Sequence, residues 1–224
     1  MYQGQDQQDV LKLAAEINAE LRAAPAANTP SLRLIRRHYS SMLKEASPEF
    51  ILDLARILLQ NYGQRWVAYE LIHDHGAAFR SLGEAELEEL GQGIDSWWTV
   101  DAFARTLSGP AWLNGQVSDD LIQRWARSGD FWWRRAALVS TVALNVRSQG
   151  GMGDTPRTLA VCRMLVEDHE DMVVKAMSWA LRELAVHDPQ TVSAFLSQYE
   201  NVLAGRVQRE VENKLKTGLK NPKR

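Results

Sequence analysis

Phe131-Trp132-Trp133-Arg134-Arg135-Ala136-Ala137-Leu138 and, further on, Val173-Val174-Lys175-Ala176-Met177-Ser178-Trp179 decide the fold. Each stretch opens an apolar pattern of helical period. Each sets a basic residue just before alanine, Arg135 before Ala136 and Lys175 before Ala176. Comparable helix starts occur near Trp66 and Trp97. Second helices of pairs opening near residues 65, 97, 132 and 173 recur at roughly 40 residues, the period of HEAT-like units. The reading is therefore all-α: a right-handed superhelix of HEAT-like antiparallel helix pairs in a single domain over residues 1–224. Residues 1–29 form an N-terminal helix and linker, residues 30–219 the helical repeats and residues 220–224 a basic tail. In such a stack the second helices line the concave surface, so basic residues repeated on them make a positive stripe.

The same periodicity extends outward in both directions. Val10, Leu11, Leu13, Ala14, Ile17 and Leu21 recur at helical spacing. Ala23 to Thr29, with Pro25, breaks the pattern, and Pro30 suits a helix entry. Further helices are expected from about Leu32 to Leu43, from Ser47-Pro48-Glu49 onward, and over Gln64–Asp74 and Glu84–Leu90. Asp95-Ser96 is expected to cap a helix over Trp97–Leu107, with Gly109-Pro110 as its stop. Ser118–Arg127, Phe131–Val146, Thr155–Val166, Met172–Ala185, Pro189–Tyr199 and Arg206–Leu219 complete the set. No alternating strand or hairpin signal stands out. Ser148-Gln149-Gly150-Gly151-Met152-Gly153-Asp154 lacks the Gly-Lys-Ser/Thr ending of a phosphate loop and reads as an interhelical loop.

Composition narrows the function classes. Of 224 residues, 45% are hydrophobic and 24% charged, ordinary for a globular protein. No apolar run is long enough for a bilayer, and Met1-Tyr2-Gln3-Gly4-Gln5-Asp6 lacks the features of a secretory signal. The expectation is a cytoplasmic protein without membrane contact. A single cysteine, Cys162, excludes an internal disulfide and a Cys-rich zinc site. His73 and His75, two apart, point to different helix faces, and neither a metal nor a cofactor is expected. The formal net charge is −2, but it is divided: residues 1–128 hold 12 basic and 17 acidic residues, residues 129–224 hold 14 and 11. A local basic face governs polyanion binding more than the sum does.

Three helices combine tryptophan with charge on one face. Trp97 and Asp101 are one turn apart, and Trp98 and Asp101 three apart. An indole beside a carboxylate suits a flat cation, favoured by both the ring quadrupole and the charge. Arg135 follows Trp132 by three, and Lys175, Trp179 and Arg182 are spaced four and three apart. Taken singly, each tryptophan reads as core and each charge as a solvated or snorkelling side chain. Arg33, Arg36 and Arg37 share a face that suits either phosphate or solvent.

Ser96-Trp97-Trp98-Thr99-Val100-Asp101, Trp132-Trp133-Arg134-Arg135-Ala136-Ala137 and Lys175-Ala176-Met177-Ser178-Trp179-Ala180-Leu181-Arg182-Glu183 together resemble the AlkD-type DNA alkylation repair family. The resemblance runs from about Pro30, where Pro30-Ser31-Leu32-Arg33 resembles the family's Pro-x-Leu-Arg, to the C-terminus. It implies a HEAT-like superhelix with DNA in its groove, and a monofunctional glycosylase that hydrolyses the N-glycosidic bond of cationic alkylated purines such as 3-methyladenine or 7-methylguanine. By residue it implies Asp101 as catalytic aspartate, Trp97 and Trp179 as the aromatic walls of the lesion cleft, and Arg135 as the arginine that holds the backbone near the lesion. Arg134, Lys175 and Arg182 are the further expected DNA contacts, and the partner is double-stranded DNA bound by a monomer. The family's N-terminal Gly-Val-x-Val-Pro-like run is replaced here by Ala26-Ala27-Asn28-Thr29-Pro30. Two other readings remain open on the residues alone: a non-catalytic HEAT-like binder of damaged or branched DNA, and a protein–protein scaffold.

Overall fold

A computed structural model describes residues 3–24 and 29–222, with side chains from residue 7 onward except at residue 29. The expected break over residues 23–29 and the departure at Ala26-Ala27-Asn28 therefore fall largely outside the described residues, as does the end of the basic tail. Among the described residues there are fourteen α-helices and no strand. They are α1 (Gln3–Ala23), α2 (Thr29–Met42), α3 (Pro48–Tyr62), α4 (Arg65–Asp74), α5 (Gly76–Arg80), α6 (Glu84–Leu90), α7 (Trp97–Phe103), α8 (Gly109–Leu113), α9 (Asp119–Ala126), α10 (Phe131–Asn145), α11 (Thr155–Met164), α12 (Asp171–Leu184), α13 (Pro189–Gln198) and α14 (Gly205–Thr217). No helix among the described residues is long and apolar enough to cross a membrane.

The chain forms two compact units, residues 1–90 and 91–224. In the first, α1 packs on α3 and α2 on α4, with α1 against α2 and α3 against α4, which is two stacked helix pairs. Ile51, Leu54, Ala55 and Leu58 of α3 and Val67, Ala68, Leu71 and Ile72 of α4 are buried where these two helices pack. Tyr69 is buried there, and its hydroxyl donates to the Leu90 carbonyl at 2.9 Å. Helix α5 was not foreseen. His75 explains it, because its Nδ1 accepts the Ala78 amide at 3.1 Å and so caps a new short helix where α4 ends.

In the second unit α10, α12 and α14 lie side by side as one layer, and α9 packs on α11 in another. The pairs α9/α10, α11/α12 and α13/α14 make this a HEAT-like stack. Side-chain oxygens start the helices: Ser118, Asp130, Asp154 and Asp188 accept amides of Leu121, Trp132, Arg157 and Thr191. Each such cap stabilises its helix by about 1 kcal/mol. Trp133 meets Trp125 at a tilt and Phe103 edge-on, at centroid distances of 4.8 and 6.0 Å, and Trp112 is buried as well. Cys162 of α11 is fully buried, and that burial pushes its thiol up to about 12.

Gly109-Pro110 does not stop the helix that begins at Trp97. The run continues through a π turn over Ala104–Ser108 into α8. Pro110 has no N–H to donate, and its ring collides with the carbonyl four residues back in an α-helix. Widening to an i→i−5 pattern, seen as the Gly109 amide bonded to the Ala104 carbonyl, relieves that conflict. Glycine at 109 is needed for a different reason. A Cβ there would lie 2.9 Å from both the Ser140 carbonyl oxygen and the Ala143 Cβ, so its absence lets this helix touch α10. The Ser108 and Ser140 hydroxyls, 2.7 Å apart, close the same contact.

The loop after α10 is an interhelical loop, as its composition suggested. Buried Asn145 organises it by donating to the Thr141 carbonyl and the Thr158 hydroxyl while accepting the Asp154 amide at 3.0 Å.

Candidate functional site

The site grows from the first turns of α7. The Ser96 amide donates to the Thr99 hydroxyl at 3.1 Å, and the two hydroxyls lie 2.9 Å apart. This capping box, with threonine where glutamate is usual, fixes the start of the helix. Trp97 and Trp98 then project outward, 58% and 49% exposed. Asp101 follows one turn after Trp97 and is mostly covered, its side chain 17% exposed.

What covers it is Arg135. From α10, its Nε donates to Asp101 Oδ1 at 3.0 Å and its Nη2 to Oδ2 at 2.9 Å. Its Nη1 donates to the Met172 carbonyl in the first turn of α12 at 2.6 Å. One guanidinium thus ties α7, α10 and α12 together at a single carboxylate. The Arg135 side chain is only 6% exposed. The resemblance implied an arginine gripping the DNA backbone. In the structure Arg135 lies beneath Asp101 with all three nitrogens bonded within the protein, because a forked pair of this kind satisfies carboxylate and guanidinium together.

Burial pushes the Asp101 carboxyl above the ordinary carboxylate range, with Arg135 and Arg105 pulling against that rise. Arg105 was not singled out in the sequence. It is exposed, one turn beyond Asp101, in the π turn. Its Cζ lies 5.5 Å from the centroid of the Trp179 ring. Trp179 in turn donates its indole N–H to Glu183 Oε1 at 3.0 Å, which holds the ring on α12. The signal for Arg105 was available: it sits four after Asp101 and eight after Trp97, on the continuation of the same helix.

The remaining expected residues take other partners. Lys175 pairs with Asp171 at 2.6 Å, and Arg206 of α14 reaches the same carboxylate at 2.8 Å. Arg182 turns toward α14: its Nε donates to the Ser178 hydroxyl, which donates to the buried Glu210 at 2.6 Å. Burial lowers the pKa of Arg182, opposed by Glu210 and Glu183. Arg134 is bonded to Asp168 at 2.7 Å and to the Ser128 and Gly129 carbonyls, bracing the start of α10. Asp101, Arg135, Arg105 and Trp179 are therefore linked, with Trp97 on the helix of Asp101. Arg134 and Arg182 lie in separate ion-pair or hydrogen-bond clusters, and Lys175 is half-exposed at the start of α12.

Chemically, this is an anchored and partly accessible carboxylate beside aromatic faces. It suits stabilisation of positive charge, because the carboxylate is fixed before any ligand arrives. Among the described residues no three His, Cys, Asp or Glu side chains cluster to hold a metal ion.

The profile of the family described as DNA alkylation repair enzyme matches residues 12–215. The match begins well before Pro30, where the residue-level resemblance starts. No curated protein matches the chain.

Proposed function

Because the chain belongs to the DNA alkylation repair enzyme family, a role in DNA repair and DNA binding follows, and we propose that it is a monofunctional glycosylase for cationic alkylated purines. The substrate is a base methylated at a ring nitrogen, of the 3-methyladenine or 7-methylguanine type, in duplex DNA. The observation that carries this reading is Asp101: a carboxylate held by both of its oxygens through Arg135 yet still open to solvent.

In the reaction the C1′–N bond breaks and its electron pair passes to the base, which loses its positive charge and leaves neutral. That departure needs no strong acid. Positive charge develops on the sugar, and the ionised Asp101 stabilises it, as carboxylates do in glycoside hydrolysis. Water adds at C1′, and its proton goes to Asp101 or to solvent. Trp97 and Trp179 supply aromatic faces that favour cations over neutral groups. Arg135 acts as a positioning residue, since it holds both oxygens of Asp101.

Base release from methylated duplex DNA tests the proposal, comparing wild type with Asp101→Asn. Wild type should release methylated base, and the variant should lose on the order of 10²-fold in rate, the scale of removing one preorganised electrostatic group. Equal rates, or no release by wild type, would defeat it. Release absent with salt-sensitive DNA binding retained would favour the alternative of a non-catalytic binder of damaged or branched DNA. Absence of DNA binding at low salt would favour a protein scaffold.

A further inference from the structure

DNA carries a negative charge at every nucleotide, so a backbone that reaches Asp101 sets like charges side by side. Arg135 neutralises the carboxylate, and its three nitrogens are already bonded within the protein. A second cation stands beside the pair. Arg105 is exposed and lies one turn past Asp101 and two past Trp97 on the same helical run. It is near enough to Asp101 to oppose the rise in that carboxyl's pKa.

The Arg105 side chain makes no ion pair and no hydrogen bond among the described residues. Its guanidinium lies over the Trp179 ring, with Cζ 5.5 Å from the centroid. That contact draws on the positive charge and ties up no N–H group in a hydrogen bond, so the guanidinium donors stay open to a ligand. Trp179 is itself held by its bond to Glu183. The backbone at Arg105 is held as well, and the sequence dictates how. In a π turn the Arg105 carbonyl would accept from the amide five residues on, but that residue is Pro110, which has no N–H. Gln149 supplies the missing donor, its Nε2 donating to the Arg105 carbonyl at 2.9 Å. A long side chain is thus steadied at its root and at its tip, which lowers the ordering cost of binding.

We propose that Arg105 is a positioning residue that grips a backbone phosphate beside the sugar that Asp101 faces. This role rests on the proposed function for the identity of the ligand as duplex DNA, and not on the glycosylase step. A guanidinium can give a phosphate two parallel N–H bonds. Indole and phosphate do not compete for it, because one attracts its charge through the ring face and the other accepts its N–H groups. Arg105 then stands between two anions, the phosphate and Asp101, and offsets their repulsion.

The test is a binding titration with an unmodified, fluorescently labelled DNA duplex, which needs no turnover. Affinity is measured by anisotropy across a salt series for wild type, Arg105→Ala, Arg105→Lys and Arg127→Ala. Because Arg105 is exposed, its replacement leaves the buried packing around the π turn in place. Arg105→Ala should bind about tenfold more weakly at low salt, the lower end of what a hydrogen bond between charged groups contributes. Its slope of log affinity against log salt should be shallower by about 0.9, the contribution of one phosphate. Arg105→Lys should keep the slope and recover part of the affinity, since it retains the charge and loses the fork. Arg127→Ala removes the same charge from the end of α9, in the other helix layer, and should match wild type. Wild-type affinity and slope in Arg105→Ala overturn the proposal. So does an equal loss in Arg127→Ala, which would mean that only total charge counts. Failure of wild type to bind duplex DNA overturns the DNA-binding reading and this role together. If binding responds as expected while wild type releases no methylated base, the glycosylase reading falls and the phosphate grip stands.

Discussion

Asp101 is held at the cost of some of its own acidity. Burial raises its pKa in the folded chain. Relative to the unfolded value of about 3.9, the carboxyl contributes stability that is fully present below that value and is lost as pH rises through the higher folded one. At neutral pH the ionised form works against folding, and the forked bond from Arg135 offsets part of this. The same shift fixes the acid limb of any reaction that needs the carboxylate. Base release should decline on acidification at a pH above the ordinary carboxylate range, and Arg105→Ala should move the limb higher still, because one of the two opposing cations is gone. A pH–rate profile of both proteins checks this, and an acid limb at the ordinary aspartate value in wild type contradicts it. Of these residues, Asp101 and Trp97 were legible because their spacing of four places them on one helix face. The partner of Arg135 was not legible, since a pairing between residues 34 apart depends on how α7 meets α10. Sequence spacing within one helix carries no such information.

At the scale of the helix, the segment from Trp97 to Leu113 shows where local rules fail. Glycine followed by proline normally marks a helix end, and here the chain runs through both. The reason is tertiary. Missing the Cβ at 109 permits contact with Ser140 and Ala143 of α10, and the π turn accommodates the proline. Gly109→Ala should therefore destabilise the protein by about 1–3 kcal/mol, the usual cost of overpacking a core, although alanine is the better helix former. Thermal unfolding measures it, and a variant as stable as wild type would mean that the close approach is dispensable. The other helix boundaries were far easier to read. Ser118, Asp130, Asp154 and Asp188 advertise themselves as caps, and α9, α10, α11 and α13 begin directly after them. Helix α5 was hidden because histidine is an unusual cap and a five-residue helix has too little periodicity to detect.

For the molecule as a whole, charge is the quantity that bears on DNA. A chain of net charge −2 binds a polyanion only through its unequal distribution, and residues 129–224 carry 14 basic against 11 acidic side chains. Several of those basic groups are internally paired, Arg134, Arg135 and Arg157 among them. Such pairs compete with phosphate for these cations, so the salt dependence should be shallow. A plot of log affinity against log salt should give a slope near −0.9 for each phosphate neutralised, totalling about −2 to −4. A slope near −10 would contradict this expectation. The all-α class and the pairing of helices were legible throughout, because a period of roughly 40 residues survives any local irregularity. The division into residues 1–90 and 91–224 was not, since Leu90 and Gly91 lie in an unbroken run of helix and turn with no linker composition to mark them.

The lone cysteine gives this chain a built-in clock. Cys162 is sealed within α11, and its thiolate is further suppressed by the raised pKa. Alkylating reagents attack the thiolate, so they react only when that part of the stack opens. The rate of labelling under native conditions is then a direct measure of local opening, read at one atom with no substitution introduced. Slower labelling in the presence of DNA would locate the grip of the ligand on the second unit, at a residue outside the helices of Trp97 and Trp179.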